Sequence, residues 1–293
     1  MSMAALVLIL LCLLGPAEKP LPLSAHNCYD GASEHKLALA LELGIDNIEI
    51  DLGWDPTARR VIVGHDATPV PGSSYPRFEA YVAKFLAAPK RGDGAPRILT
   101  LDWKTEEPAA VAEVSAWLER HGDQFSTATK GEPSTLVERR FTVCFTGSDR
   151  AKEIYDRSIP PGGLYRAFRD QVFGGSDYRE DPSAYFGKPA DGYHRFATFH
   201  WGVIERGGPP LAGSWTDDER RRLEMLVAKA HESGFRVRFY CLNGGGPLTS
   251  LPYRFKDQAT ARIRRIAAAE AGVDWVATDD YSEAASELRK PTR

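Results

Sequence analysis

Two carboxylates, Glu49 and Asp51, alternate with Ile48, Ile50 and Leu52 in the segment NIEIDLG. Alternation with a period of two marks a β-strand, so the apolar residues share one face and both acids share the other. The segment ILTLDWK at 98–104 repeats the arrangement, with Leu99, Leu101 and Trp103 opposed to Thr100, Asp102 and Lys104. RVRFYC at 236–241 does so again, with Val237, Phe239 and Cys241 opposed to Arg236, Arg238 and Tyr240. Acids crowded in a low-dielectric interior repel, and one or more takes up a proton unless a counter-charge lies between them. A divalent cation held by Glu49, Asp51 and Asp102 would keep all three ionised. Oxygen-only donors suit a hard ion, Mg2+ or Ca2+, rather than zinc. The competing reading is an ion network in which Lys104 and Arg238 pair with the acids directly.

His26 ends a strand-like run in SAHNCYDG, and His65 ends VIVGHD. A pair of imidazoles beside a carboxylate-bound cation fits phosphoryl chemistry. One takes the proton of the nucleophile and the other protonates the leaving alkoxide. The cation would stabilise charge on the phosphoryl oxygens, and Lys104 and Arg238 would grip the non-bridging ones. Taken singly, either histidine is more simply a structural residue. His200, in FHWG, is a reserve candidate, whereas His35, His121 and His231 lie in or at the ends of helical segments and read as surface or interhelix residues. Trp201 and Tyr240 read as inner-rim aromatics that could stack on a substrate, although packing explains them too. Asp280 with Glu283 reads as a capping box for the last helix. Asp279 could orient a histidine or a substrate hydroxyl.

The elements that must position these residues form a repeating series. Eight strand-like runs are legible at 22–27, 47–53, 98–104, 141–147, 164–168, 195–201, 237–243 and 275–280, with a hairpin-type excursion at 60–66. Helical segments at 33–44, 78–88, 108–122, 216–234 and 257–272 separate most of them. Strands alternating with helices imply parallel βαβ units, and eight of them predict a single-domain (β/α)8 TIM barrel over residues 18–293. The rival is a doubly wound open sheet. Residues 169–194 show no helix and read as a long loop. The charged positions fall toward the C-terminal ends of their strands, where barrel enzymes carry their sites.

Composition narrows the classes. With 37 Lys and Arg against 40 Asp and Glu, the net charge of −3 excludes the basic bias of a nucleic-acid binder. Residues 4–14, AALVLILLCLL, form an apolar run too short to span ~30 Å of hydrocarbon. With Gly15 and Ala17 following, residues 1–17 read as a signal peptide, which makes the mature chain exported, secreted or periplasmic, without a transmembrane segment. Cleavage there leaves Cys28, Cys144 and Cys241, an odd number that permits at most one intramolecular disulfide. Buried free thiols are the simpler reading.

The order His26-Asn27, Glu49-Ile50-Asp51, His65-Asp66, Asp102-Trp103-Lys104 and a late GVDWVATDD resembles the glycerophosphodiester phosphodiesterase and phosphatidylinositol-phospholipase-C-like superfamily. AHNCYDG, FTVCFTGSDR and HESGFRVRFY are similar to a branch of "altered inheritance of mitochondria" proteins and their bacterial relatives. The resemblance runs from about residue 22 to 288. It implies a (β/α)8 barrel, His26 and His65 as the acid–base pair, and Glu49, Asp51 and Asp102 as ligands of one Mg2+ or Ca2+. Many relatives carry Glu at the last position, so the shorter Asp102 leaves room for a bridging water. Asn27 stands where many relatives place an arginine near the phosphate, and Cys28 where the branch often has Asp. The resemblance implies a phosphoric diester hydrolase acting on glycerophosphodiesters or phospholipid headgroups, and a monomer is expected. Asn27, Lys104, Arg238, Tyr240 and Trp201 are the substrate-side candidates. Attack by a substrate hydroxyl, giving a cyclic phosphate, and attack by water both stay open. The alternative is a weak or inactive barrel that binds phosphodiester or phosphoinositide-type ligands.

Overall fold

The computed structural model describes residues 21–29, 35–89, 91–131, 134–245 and 253–289. The leader reading at residues 1–17, Cys12 included, lies outside them. The chain runs β1 (Leu23–Ala25), α1 (His35–Glu42), β2 (Asn47–Asp55), β3 (Arg60–Val63), α2 (Phe78–Ala87), β4 (Arg97–Trp103) and α3 (Pro108–Arg120). It continues through β5 (Thr127–Thr129), β6 (Leu136–Val137), β7 (Phe141–Gly147), α4 (Asp149–Ser158), β8 (Leu164–Tyr165) and β9 (Ala167–Phe173). β10 (His194–His200), α5 (Asp217–Glu232), β11 (Arg236–Tyr240), β12 (Asn243–Gly244), β13 (Arg254–Phe255), α6 (Gln258–Glu270), β14 (Trp275–Thr278) and α7 (Tyr281–Arg289) complete it.

Eight parallel strands close in the order β1-β2-β4-β7-β9-β10-β11-β14, with β14 pairing back onto β1. The expected single-domain (β/α)8 barrel is the fold observed. Several helices start where the sequence supplies an acceptor for the free first-turn amides. Thr216 and Glu219 form a reciprocal capping box on α5, Asp257 caps α6 through Thr260 N–H, and Ser148 caps α4 through Ala151 N–H. No helix among the described residues is long and apolar enough to cross a membrane.

Strand register sets which side chains share the inner wall. Glu49 lies opposite Thr100 and Asp51 opposite Asp102, which in turn lies opposite Thr146. Thr198 lies opposite Arg238 and His200 opposite Tyr240. Neighbouring strands therefore place these residues on one face, and the intervening apolar residues pack under the helices. β3 folds back antiparallel on β2, pairing Val63 with Leu52. Gly147 closes β7 at φ +74, and a Cβ there would sit 2.1 Å from Asp102 Oδ1, so only glycine lets Asp102 keep its place.

Two expectations change. The fifth barrel strand is Ala167–Phe173, not 164–168. Leu164–Tyr165 pairs antiparallel with β5 in a separate three-stranded sheet. The stretch read as loop from residue 169 thus begins with strand, and its polar Asp170 and Gln171 hid the alternation. The helix α4, DRAKEIYDRS, escaped the sequence reading because it buries only Ala151, Lys152 and Tyr155.

Candidate active site at the barrel mouth

The C-terminal ends of β14, β1, β2 and β4 carry the ionisable cluster. Glu49, Asp51 and Asp102 each present an oxygen within 4.8 Å of the others, a group able to hold a metal ion. Asp51 is fully buried, and its Oδ1 accepts no hydrogen bond among the described residues. A buried carboxylate oxygen left without a donor is costly. That orphan, beside two further oxygen donors and no sulfur or imidazole ligand, fits a hard divalent cation.

The same acids also carry the direct ion network that the sequence allowed. Lys104 Nζ lies 2.9 Å from Asp102 Oδ2 and 3.3 Å from Asp51 Oδ2. Arg238 crosses from β11 to pair with Glu49. Burial and Asp102 push the Asp51 carboxyl above the ordinary range against the pull of Lys104. Burial works to lower the Lys104 ammonium, but Asp102 and Asp51 more than offset it and the net shift is upward. Burial brings Arg238 down to about 10, which keeps it charged at neutral pH. Three carboxylates thus face two cations, leaving an excess negative charge where the orphaned oxygen sits.

His26 stands next to this cluster. Its Nδ1 lies 3.1 Å from Asp279 Oδ1 and its Nε2 3.9 Å from Glu49 Oε1. The facing carboxylate favours the tautomer with the proton on Nδ1, which leaves Nε2 as the basic atom on the side of the acids. Burial tends to raise the Asp279 carboxyl, but the hydrogen bonds from His26 and Asn27 and the charge of Arg254 hold it below the ordinary range. Asn243 fixes Asp279 from both sides, donating to Oδ2 at 2.7 Å and accepting its backbone N–H at 2.7 Å. Asn243 gave no sequence signal, because an Asn after a strand usually reads as a turn residue.

The other candidates fall in different places. Asn27 adopts φ +48, a left-handed backbone that Asn tolerates better than Arg. Its Nδ2 donates to Asp279 Oδ1 at 3.1 Å, so its amide steadies the carboxylate that faces the imidazole. Arg238 is 5% exposed and pairs with Glu49. Lys104 is only part-buried and stays available at the rim.

His65 follows β3 on the rim, where Gly64 N–H donates to Asp51 O at 3.0 Å. Its imidazole is exposed and makes no hydrogen bond or ion pair among the described residues, so nothing ties it to His26. Its neighbour Asp66 accepts from Tyr75 at 2.6 Å. Trp201 is not a rim aromatic. Fully buried, it packs on Trp215 and Phe239 and donates Nε1–H to Glu205 at 2.5 Å. Thr198 and His200 hold the inner positions of β10, so the next residue turns to the helix side. Tyr240 does lie at the inner rim, edge-on to His200 with ring centroids 5.2 Å apart. His200 Nδ1 accepts Gly202 N–H at 2.8 Å. Asp280 does not build the expected capping box, for its carboxylate accepts from Gly244 N–H and Gln258 Nε2 instead.

Two further site residues went unnoticed in the sequence. Tyr29 donates to Asp51 Oδ2 at 2.9 Å. Asp170 is inward on β9, 1% exposed, and lies beside the hydroxyls of Thr146 and Thr198. Burial raises it to about 6 against the opposing pull of Lys152. Cys28, Cys144 and Cys241 are buried and form no disulfide among the described residues, and for Cys144 and Cys241 that is the simpler reading. The barrel by itself indicates no activity, since one scaffold hosts many chemistries. Neither a scan against protein-family models nor a search of curated proteins returns a match to this chain.

Proposed function

We propose that this chain is a divalent-cation-dependent phosphoric diester hydrolase, exported and acting on glycerophosphodiesters or phospholipid headgroups. The observation that carries the reading is the convergence of Glu49, Asp51 and Asp102 oxygens within 4.8 Å beside the His26–Asp279 pair. A bound Mg2+ or Ca2+ at these oxygens supplies Lewis-acid stabilisation of a phosphoryl oxygen. With such an ion the cluster of three acids, Lys104 and Arg238 carries one net positive charge, which matches the single negative charge of a phosphodiester. His26 Nε2 accepts the proton of the attacking hydroxyl, from water or from the substrate's own alcohol. Asp279 holds the ring and stabilises the imidazolium that forms. Lys104 steadies a non-bridging oxygen from the rim. His65, on the exposed rim loop, is assigned the proton that goes to the leaving oxygen.

Hydrolysis of bis(p-nitrophenyl) phosphate by the purified chain tests the reading. Activity that EDTA abolishes and Mg2+ or Ca2+ restores is expected, with His26→Ala slower by about 10²-fold or more. No turnover under any cation condition rejects it. A second reading is favoured by the pairing of Lys104 and Arg238 with the same acids, namely a barrel that binds phosphodiester ligands without turning them over. Saturable binding of a phosphodiester with no turnover would select that alternative.

A further inference from the structure

The turn that carries His26 also carries a phenol that reaches the acids. Tyr29 Oη lies 2.9 Å from Asp51 Oδ2 and 3.2 Å from Asn27 Oδ1. The turn itself is stitched down at each residue. Tyr29 N–H donates to Asn27 O at 2.7 Å, Cys28 N–H to Glu49 O at 2.8 Å, and Lys36 Nζ to Asn27 O at 3.1 Å. Tyr81 adds a hydrogen bond to Cys28 O. The phenol therefore approaches Asp51 from a fixed base.

Asp51 shows the consequence. Its Oδ2 takes Tyr29 and Lys104, while its Oδ1 takes no donor among the described residues. We propose that Tyr29 is a positioning residue for a divalent cation at Glu49, Asp51 and Asp102, pinning Asp51 by Oδ2 so that Oδ1 faces the other carboxylate oxygens. The proposal rests on the cation-dependent reading above.

The choice of a phenol has a physical reason. Lys104 also holds Oδ2, but a cation entering the cluster repels its ammonium. A neutral hydroxyl donates to the same oxygen without that repulsion, so it keeps Asp51 in place in the loaded site. A phenol is protonated at neutral pH, so it serves as a donor. One hydroxyl carries one hydrogen, and the charged Asp51 outcompetes the neutral Asn27 carbonyl for it. Groups that hold a ligating side chain from behind commonly govern metal affinity.

Calorimetric titration of the EDTA-stripped chain with Ca2+, and separately with Mg2+, tests the role. Tyr29→Phe is expected to bind the cation about 10- to 100-fold more weakly than wild type, with an unchanged circular-dichroism spectrum. Its turnover of bis(p-nitrophenyl) phosphate is expected to recover toward the wild-type value at saturating cation. Asn27→Gly keeps the left-handed turn and the Tyr29–Asp51 bond, and is expected to bind cation within about threefold of wild type. Wild-type affinity in Tyr29→Phe, an equal loss in Asn27→Gly, or a Tyr29→Phe chain that does not fold would each overturn the role of Tyr29. Absence of cation binding by the wild-type chain would overturn the cation-dependent reading as well.

Discussion

The inner wall of the barrel has two unlike halves. From β14 through β1 and β2 to β4 it carries Asp279, His26, Glu49, Asp51, Asp102 and Lys104, and these side chains contact one another. From β7 through β9 and β10 to β11 it carries Thr146, Asp170, Thr198, His200 and Tyr240, a stretch of hydroxyls and rings around one acid. Arg238 belongs to the second half by strand but to the first by charge, because it reaches Glu49. Buried charge is tolerated where opposite charge lies within reach. In the first half every acid has a cation or hydrogen-bond donor beside it, and Asp51 Oδ1 is a buried oxygen without a donor among the described residues. In the second half the hydroxyls of Thr198 and Thr146 and the charge of Lys152 only partly offset the burial of Asp170, and its raised pKa records the cost.

Breaking the link between the halves should have the largest effect. Arg238→Met leaves Glu49 buried without its partner, and urea unfolding is expected to show a loss of about 3–5 kcal/mol. Added Ca2+ should recover part of that loss, since a cation at Glu49 supplies the missing charge. A loss under about 1 kcal/mol would mean that Glu49 does not depend on Arg238.

Asp170 gives the next largest effect, and its sign follows from protonation. A carboxyl raised from 3.8 to about 6 holds a proton in the folded state that the unfolded chain has already released. Its contribution to stability is therefore fully present below about pH 4 and is lost as pH rises through about 6. Asp170→Asn removes this dependence. Unfolding measured across pH is expected to show the variant gaining on wild type by up to about 3 kcal/mol between pH 4 and 7. Parallel profiles would mean that Asp170 binds its proton alike in the folded and unfolded states.

His65 sharpens the comparison within the first half. His65→Ala is expected to reduce turnover of bis(p-nitrophenyl) phosphate by about 10²-fold while leaving unfolding unchanged, because its imidazole supports no contact of the fold. A variant as fast as wild type would confine the acid–base chemistry to the His26–Asp279 side. The smallest effect belongs to Trp201→Phe, which should cost about 1.5 kcal/mol for the hydrogen bond to Glu205 and leave turnover within about twofold. A large drop in turnover would return Trp201 to the substrate side.

The charged half was legible in the sequence because its strands alternate cleanly. Ile48, Ile50 and Leu52 against Glu49 and Asp51 leave one consistent facing, and register then brings Asp102 alongside. The second half was harder to read. β9 places Asp170 at an inner position and leaves Val172 43% exposed, so its alternation carries the wrong polarity for a core strand. Trp201 follows the last inner residue of β10, and its aromatic character suggested a rim position that strand parity denies. Tyr29 and Asn243 were invisible for another reason, since their roles depend on contacts with Asp51 and Asp279, 22 and 36 residues away. Local pattern does not encode such pairings.

The most direct measurement is a crystal of the full chain soaked in Mn2+, with anomalous scattering used to locate the ion. One peak bounded by oxygens of Glu49, Asp51 and Asp102, with Lys104 withdrawn from Asp51, is the expected result. No peak at those carboxylates, with Lys104 and Arg238 still paired to them, would contradict the account.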